Sequence, residues 1–366
     1  MRILIASFLL IVSTLPSHAL ESSAGTLRVQ AVVSGLTEPW GVGFLPDEAL
    51  LITERNGRLI HVAGGKITVV SGVPEVYAEG QGGLLDVMVP RDFASTGEIY
   101  LSYSRPQGRG AGTALARGVL SADGATLSGV ETIFEMSNGS SGGRHFGSRV
   151  IEGPDGHLYL TTGDRGDRPS AQDRSNHNGA VIRIARDGSV PPDNPFVGQS
   201  GVQPEIYSYG HRNPQGMTLA PDGTIYTAEH GARGGDEVNR IEKGANYGWP
   251  VISYGVHYSG GRIGEGTEKA GMAQPEHFWD PSIAPSGMAA YSGKLWPEWA
   301  GDLFVGSLKF NMISRLDTSG SVREVERLSS DETLRVRDVR EGPNGALWFL
   351  SVGNGALYRV TPGEAG

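Results

Sequence analysis

The chain has 366 residues, no cysteine, and a formal net charge of −9 from 31 basic and 40 acidic side chains. No basic patch marks a nucleic-acid surface, and without disulfides an exported chain of this length must rest on its apolar core, helped by any metal it binds. Glycine is the unusual count, 55 residues without a collagen period, where ~7 % is usual.

The first residues read MRILIASFLLIVSTLPSHA. Arg2 supplies a charged start, Ile3 to Val12 an apolar run, and Pro16 to Ala19 a small-residue cleavage site. This is the pattern of a secretory signal peptide over residues 1–19, with the remainder, 20–366, as one domain in the periplasm or outside the cell. The apolar run is too short for a membrane span, and no later stretch is long and apolar enough for one.

A degenerate repeat follows, each copy a turn and then a short β-branched or aromatic strand. LPDEALLITERNGRLIHV (45–62), TGEIYLSYS (96–104), GPDGHLYLTTGD (153–164), APDGTIYTAEHG (220–231), WAGDLFVGSL (299–308) and GPNGALWFLSVGNGALYRV (342–360) form the series. Asp-Gly and Asn-Gly between alternating apolar residues are hairpin signals. Copies spaced by roughly 60 residues predict an all-β, six-bladed β-propeller of four-stranded antiparallel blades. Seven blades, or a pair of β-sandwiches, are the structural alternatives. In a propeller, loops distant in sequence converge at the central channel.

Four polar clusters stand outside the strand signals. GQGGLLD places Gln81 in a turn, and SSGGRHFGSRV leads through a strand to Asp164, so that His145 and a carboxylate are joined by one segment. A titratable imidazole on a glycine-flanked loop, with an acid at a strand end, suits proton abstraction. SYGHRNPQG and AEHGARGGDEVNRIEKGANYGWP hold Arg212, Asn213, His230, Asp236 and Glu237. The glycine-rich acidic loop offers carbonyl and carboxylate oxygens of the kind Ca²⁺ takes, although it lacks the EF-hand spacing. GSLK and LRVRDV supply Lys309, Arg335 and Arg337. The two arginines have strand spacing and are expected on the same face of one strand, where an anion would relieve their repulsion. No zinc motif, nucleophile elbow or dinucleotide fingerprint is present.

Together, GRHFGSRV, SYGHRNPQG, EHGARGGDEVN, GANYGWP, GSLK and LRVRDV resemble, in order, the soluble sugar dehydrogenases that depend on pyrroloquinoline quinone (PQQ), and most of all their aldose sugar dehydrogenase branch. The likeness spans nearly the whole chain after residue 35. It implies oxidation of an aldose at C1 to the lactone, with PQQ and Ca²⁺ as cofactors and an external quinone or redox protein as electron acceptor. His145 is similar to the family's general base, Asp164 to its orienting carboxylate, and Arg212 to a residue sharing the developing charge. Gln81, Arg212, Asn213, Ser253, Lys309, Arg335 and Arg337 are similar to the PQQ-contacting set. The carbonyls of Gly231 and Ala232 resemble ligands of a Ca²⁺ shared with PQQ, and Glu237 with the Tyr247 carbonyl a second calcium site. Many relatives have proline where this chain has Ala232. The rival readings are a non-catalytic ligand- or protein-binding propeller and a calcium-dependent propeller lactonase; the latter would need several carboxylates on one metal and no cationic trio.

Overall fold

Short strands separated by tight turns form, in this computed structural model, six antiparallel sheets around one axis; residues 17–363 are described. Blade 1 comprises Pro39–Phe44, Leu50–Glu54, Arg58–Ala63 and Lys66–Val70, from axis to rim. Blade 2 starts at the axis with Leu84–Met88, blade 3 with Val150–Glu152, blade 4 with Pro214–Leu219 and blade 5 with Pro285–Ala290. Blade 6 is assembled from both ends of the chain. Val336–Glu341, Leu347–Ser351 and Ala356–Pro362 are joined by Gly25–Ser34, in a register that sets Val29 against Val360.

The four-stranded expectation holds, with one addition: Ser17–Ser22 lies outside Gly25–Ser34 as a fifth strand of blade 6. Most of the expected signal peptide lies outside the described residues; its last three, Ser17 to Ala19, pair with Gln30 to Arg28. Each of the six sequence repeats falls on the second strand of a different blade: Leu50–Glu54, Glu98–Gln107, Leu158–Thr161, Ile225–Glu229, Leu303–Ser307 and Leu347–Ser351.

The core lies between blades rather than at one centre. Leu51 and Leu59 of blade 1 meet Leu84, Val87 and Leu101 of blade 2, and Trp296, Trp299 and Phe304 meet Phe349 and Val360 across the last joint. Each such side chain contributes roughly 1.5–3 kcal/mol by leaving water. Truncating the buried Trp299 to alanine is expected to cost about 3–5 kcal/mol.

The first strand of every blade packs against those of its neighbours, and the axis they enclose is filled by charge. Arg149 Nη1 lies 2.9 Å from Asp86 Oδ1 and 3.1 Å from Asp338 Oδ1; Arg340 reaches the same two acids at 2.8 and 3.0 Å. Arg149 Nε donates to the Gln215 carbonyl at 3.0 Å, and the Val42 amide to Asp338 at 3.3 Å. Two cations and two anions thus tie blades 1, 2, 3, 4 and 6 together. Blade 5 approaches through Gly287, where a Cβ would lie 1.9 Å from Asp338 Oδ1.

Candidate active site

The segments that enter the inner strands, and the ends of the second strands beside them, gather at one mouth of this axis. His145 precedes Val150–Glu152, Arg212 and Asn213 precede Pro214–Leu219, and Asp164 follows Leu158–Thr161. His145 has φ +55°, a left-handed backbone held by Gln81, whose Oε1 accepts the His145 amide at 2.7 Å. Asn213 Oδ1 accepts the Gly147 amide at 3.1 Å on the other side of the loop. Beneath it, the Arg165 guanidinium lies over the Phe146 ring and donates to the Arg144 carbonyl.

His145 and Asp164 meet as expected: Nδ1 is 2.6 Å from Oδ1, with the imidazole 13 % exposed and the carboxylate fully buried. Burial alone would raise the Asp164 pKa; the His145 contact, the Gly166 amide at 2.7 Å and the Trp249 indole N–H at 2.8 Å outweigh it and hold the acid below its ordinary value. An ionised Asp164 accepts the Nδ1 proton, which leaves the lone pair on Nε2. Burial holds the His145 pKa below its ordinary value. Asp164 opposes this, while Arg212 and Arg144 add to it.

Arg212 is 5 % exposed, with its guanidinium 5.3 Å from the Trp249 ring centre. Nη1 donates to the His230 carbonyl at 3.1 Å, while Nε is buried without a partner. Beside it opens a cavity of about 250 Å³ lined by Trp40, Arg55, Gln81, Gln215, His230, Arg335 and Arg337, among others. Arg337 Nη1 donates to Gln215 Oε1 at 2.7 Å, and His230 Nε2 lies 3.2 Å from the same oxygen. Burial, then Arg149, Arg335 and Arg55, push the Arg337 pKa down to about 9. Burial, then Arg212 and Arg337, push His230 well below its usual range.

Arg335 and Arg337 share this cavity, but not by the strand alternation expected. Only Arg337 belongs to Val336–Glu341, at a break in register between Val336 and Asp338, and Arg335 precedes it with φ +48°. A bulge and a turn aim the pair, because a bulge breaks the alternation that equal spacing assumes. Lys309 lines an adjoining hollow with Gly231, Ala232 and His230, its Nζ 4.8 Å from the Phe310 ring centre. His230 borders both spaces.

Ser253, Glu237 and Tyr247 line a third, narrow pocket with Arg212, Glu229 and Trp249. Glu229 and Glu237 are directly opposed across adjacent strands of blade 4. Glu229 is held by His211 at 2.9 Å, Asn239 at 2.8 Å and the Arg212 amide at 2.7 Å. Among the described residues Glu237 has only Asn239, at 3.3 Å. Burial, then the Glu229 charge, drive its pKa well up. Like charges opposed on one sheet face are destabilising unless a proton or cation lies between them. Asp236 faces the other way and fixes the loop through the Gly231 and Ala284 amides, each at 2.8 Å.

The sequence reading did not single out Arg55, Trp40, Gln215, Trp249 or Glu229. Gln215, Trp249 and Glu229 lie inside motifs already quoted, but nothing local distinguishes an axis-facing glutamine or a tryptophan that caps a carboxylate from their neighbours.

The chain matches the family described as Glucose / Sorbosone dehydrogenase over residues 36–359. Aldose sugar dehydrogenase YliI of Escherichia coli K12 is 42% identical over 365 residues, 97% of this chain and 98% of that protein. Quinoprotein glucose dehydrogenase B of Acinetobacter calcoaceticus is 29% identical over 327 residues, 80% of this chain and 66% of that one. The apo-form structure of the soluble aldose sugar dehydrogenase from Escherichia coli has a TM-score of 0.89 and 41% identity, covering 92% of this chain and 100% of that one. The PQQ-bound form of aldose sugar dehydrogenase from Streptomyces coelicolor has a TM-score of 0.76 and 27% identity, covering 91% and 98%. By fold, site order and sequence, this chain belongs to the glucose/sorbosone dehydrogenase family.

Proposed function

We propose that the chain is a PQQ- and Ca²⁺-dependent dehydrogenase that oxidises aldose sugars at C1 to the lactone, acting after export to the periplasm or beyond, with His145 as general base. The observation that carries this reading is an imidazole with a free Nε2, fixed by a buried carboxylate, beside a cavity walled by arginines. The donor set fits PQQ, a planar tricarboxylate: Arg55, Arg335 and Arg337 converge on the cavity, and Lys309 faces the adjoining space. Gln81 and Asn213 hold the base loop against it, and the buried, unpartnered Arg212 Nε calls for an acceptor. The oxygens fit Ca²⁺ as well. Gly231 and Ala232, whose carbonyls are the proposed ligands, border the Lys309 hollow, and Glu237, Ser253 and Tyr247 the acid-lined pocket.

When bound, PQQ supplies the acceptor for the C1 hydride, and Ca²⁺ the Lewis-acid polarisation that favours its arrival. His145 Nε2 takes the proton of the C1 hydroxyl as the C1–H bond breaks. Asp164 keeps the imidazole in that tautomer and stabilises its cationic form. Arg212, held by its own carbonyl contact and the Trp249 ring, places positive charge where negative charge develops. The electrons leave to an external quinone or redox protein. A hydrolytic lactonase is disfavoured by guanidiniums where it would need converging carboxylates.

The test is a PQQ titration in Ca²⁺ and in excess chelator, then stopped-flow reduction of bound PQQ by glucose. Tight binding should need Ca²⁺. His145→Gln should bind PQQ as the wild type does and turn over roughly 10²–10⁴-fold more slowly. The wild-type rate should hold at neutral pH and fall only as the pH drops below 6.5, through the depressed pKa of His145. A wild-type rate in His145→Gln at full occupancy would overturn the assignment of the base.

A further inference from the structure

Several arginines away from the axis are paired with acids. Arg183 has Asp155 at 2.8 Å and Asp193 at 2.9 Å, Arg186 has Asp92 and Glu98 at 2.6 and 2.9 Å, and Arg315 has Glu326 at 2.8 Å. Two arginines beside the His145–Asp164 pair are not, a state they share with Arg174, Arg233 and Arg262 but at a place where a substrate must pass. Neither Arg144 nor Arg168 has a carboxylate within 4.0 Å among the described residues.

Arg144 directly precedes the base. It lies over Gly166, where a Cβ would come 2.4 Å from its Nε, and its exposed side chain has no hydrogen bond. Arg168 opens the short turn Arg168–Gln172 and is half-buried, with Nη1 2.8 Å from His257 Nδ1. Its guanidinium lies 5.4 Å from the centre of the Trp249 ring, the indole that donates to Asp164. These two arginines, neither paired with an acid, therefore flank the His145–Asp164 pair and lie outside the residues lining the Arg335–Arg337 cavity. The acids facing them are Asp164, committed to His145, and the exposed Asp167, which pairs with neither. Arg168 is partnered by an imidazole and Arg144 by solvent, so both positive charges are open to an anion that arrives at the base.

We propose that the preferred substrates are anionic aldoses, reducing sugars that carry a carboxylate or phosphate remote from C1, and that Arg144 and Arg168 receive that group. This rests on the dehydrogenase reading above. A hexuronate satisfies the geometry of the chemistry, since its carboxylate is on C6 and leaves C1 free to face His145. The reaction balances as for a neutral aldose: C1 gives its hydride to the cofactor, its hydroxyl proton passes to His145, and the anionic group is unchanged. Charge attraction at the mouth also raises the encounter rate, which makes the preference sensitive to salt.

The experiment compares kcat/KM for glucuronate, galacturonate, glucose 6-phosphate and glucose in the Ca²⁺- and PQQ-loaded enzyme, at low and high ionic strength. The readout is the ratio of each anionic sugar to glucose, which cancels general damage to a variant. An anion-to-glucose ratio of about ten or more, shrinking in salt, is expected. Arg144→Gln and Arg168→Gln should each lower it roughly tenfold, the worth of one charge-assisted contact, and Arg144→Lys should restore most of the loss. Uronates and the phosphate ester are separated by which ratio is larger. A wild-type ratio of one or less, or one unmoved in both glutamine variants, overturns this inference while leaving the dehydrogenase intact. Failure to oxidise any aldose would overturn both.

Discussion

Two groups of arginines each set one member beside the Trp40 ring, and they are in opposite electrostatic states. Arg149, 4.3 Å from the centre of the Trp40 ring, belongs to the axial plug, where it and Arg340 face Asp86 and Asp338. Arg337, 5.9 Å from that ring centre, has a neutral glutamine for a partner and three other arginines nearby. Burial lowers the pKa of both Arg340 and Arg337, but the two acids of the plug more than reverse this for Arg340, while neighbouring cations compound it for Arg337. A buried guanidinium with its counter-charge in place is part of the fold. Arg337, which lacks one and opens on a cavity, fits the proposed ligand site, the ligand being the missing partner.

Breaking the plug should have the largest effect. Asp338→Ala leaves Arg149 and Arg340 sharing one acid, and is expected to cost about 3–5 kcal/mol in unfolding free energy by urea titration. A loss under about 1 kcal/mol would mean that the ring does not depend on its central charges. Arg337→Ala should act on the ligand instead. PQQ affinity should drop ten- to hundredfold, equivalent to roughly 1.5–3 kcal/mol. The melting temperature of the ligand-free protein should stay level or rise, because a repulsion is removed. Arg335→Ala is expected to fall at the lower end of that range, its side chain being exposed. The smallest effect tests the acid pocket, the mirror image of the arginine cavity. In chelator, Glu237→Gln should stabilise the protein by roughly 0.2–1 kcal/mol by relieving its opposition to Glu229. In Ca²⁺ the wild type should overtake it, and a wild type that melts identically with and without Ca²⁺ would remove the pocket from the list of calcium sites.

The blades were legible because their cues are local. An Asp-Gly or Asn-Gly turn beside alternating apolar residues needs no partner to be recognised, and each of the six copies marks a second strand. The His145–Asp164 pair was legible for a related reason, since a single hairpin, Val150–Glu152 and Leu158–Thr161, carries the chain from the first residue to the second. What stayed hidden depends on how blades meet. Gln215 matters because the axis of blade 4 faces that of blade 6, and Trp249 because an 85-residue excursion returns it to Asp164. The bulge at Arg337 has no signature in LRVRDV. Ser253 and Lys309 were read as members of one cofactor set with the arginine pair, and the fold distributes them among adjoining pockets.

The joint in blade 6 has a further consequence for the timing of assembly. Trp40 and Arg55 belong to the first blade made, Arg335 and Arg337 to the last, and their common cavity straddles the seam where Gly25–Ser34 zips onto Ala356–Pro362. Until nearly the whole chain has been synthesised, that cavity lacks its Arg335 and Arg337 side. The His145–Asp164 contact is local to one blade and does not depend on that closure, whereas the arginine pocket does. On the proposed reading, loading is therefore confined to the finished protein, and a truncation that removes the last strand should weaken uptake more than it disturbs the blades far from the seam.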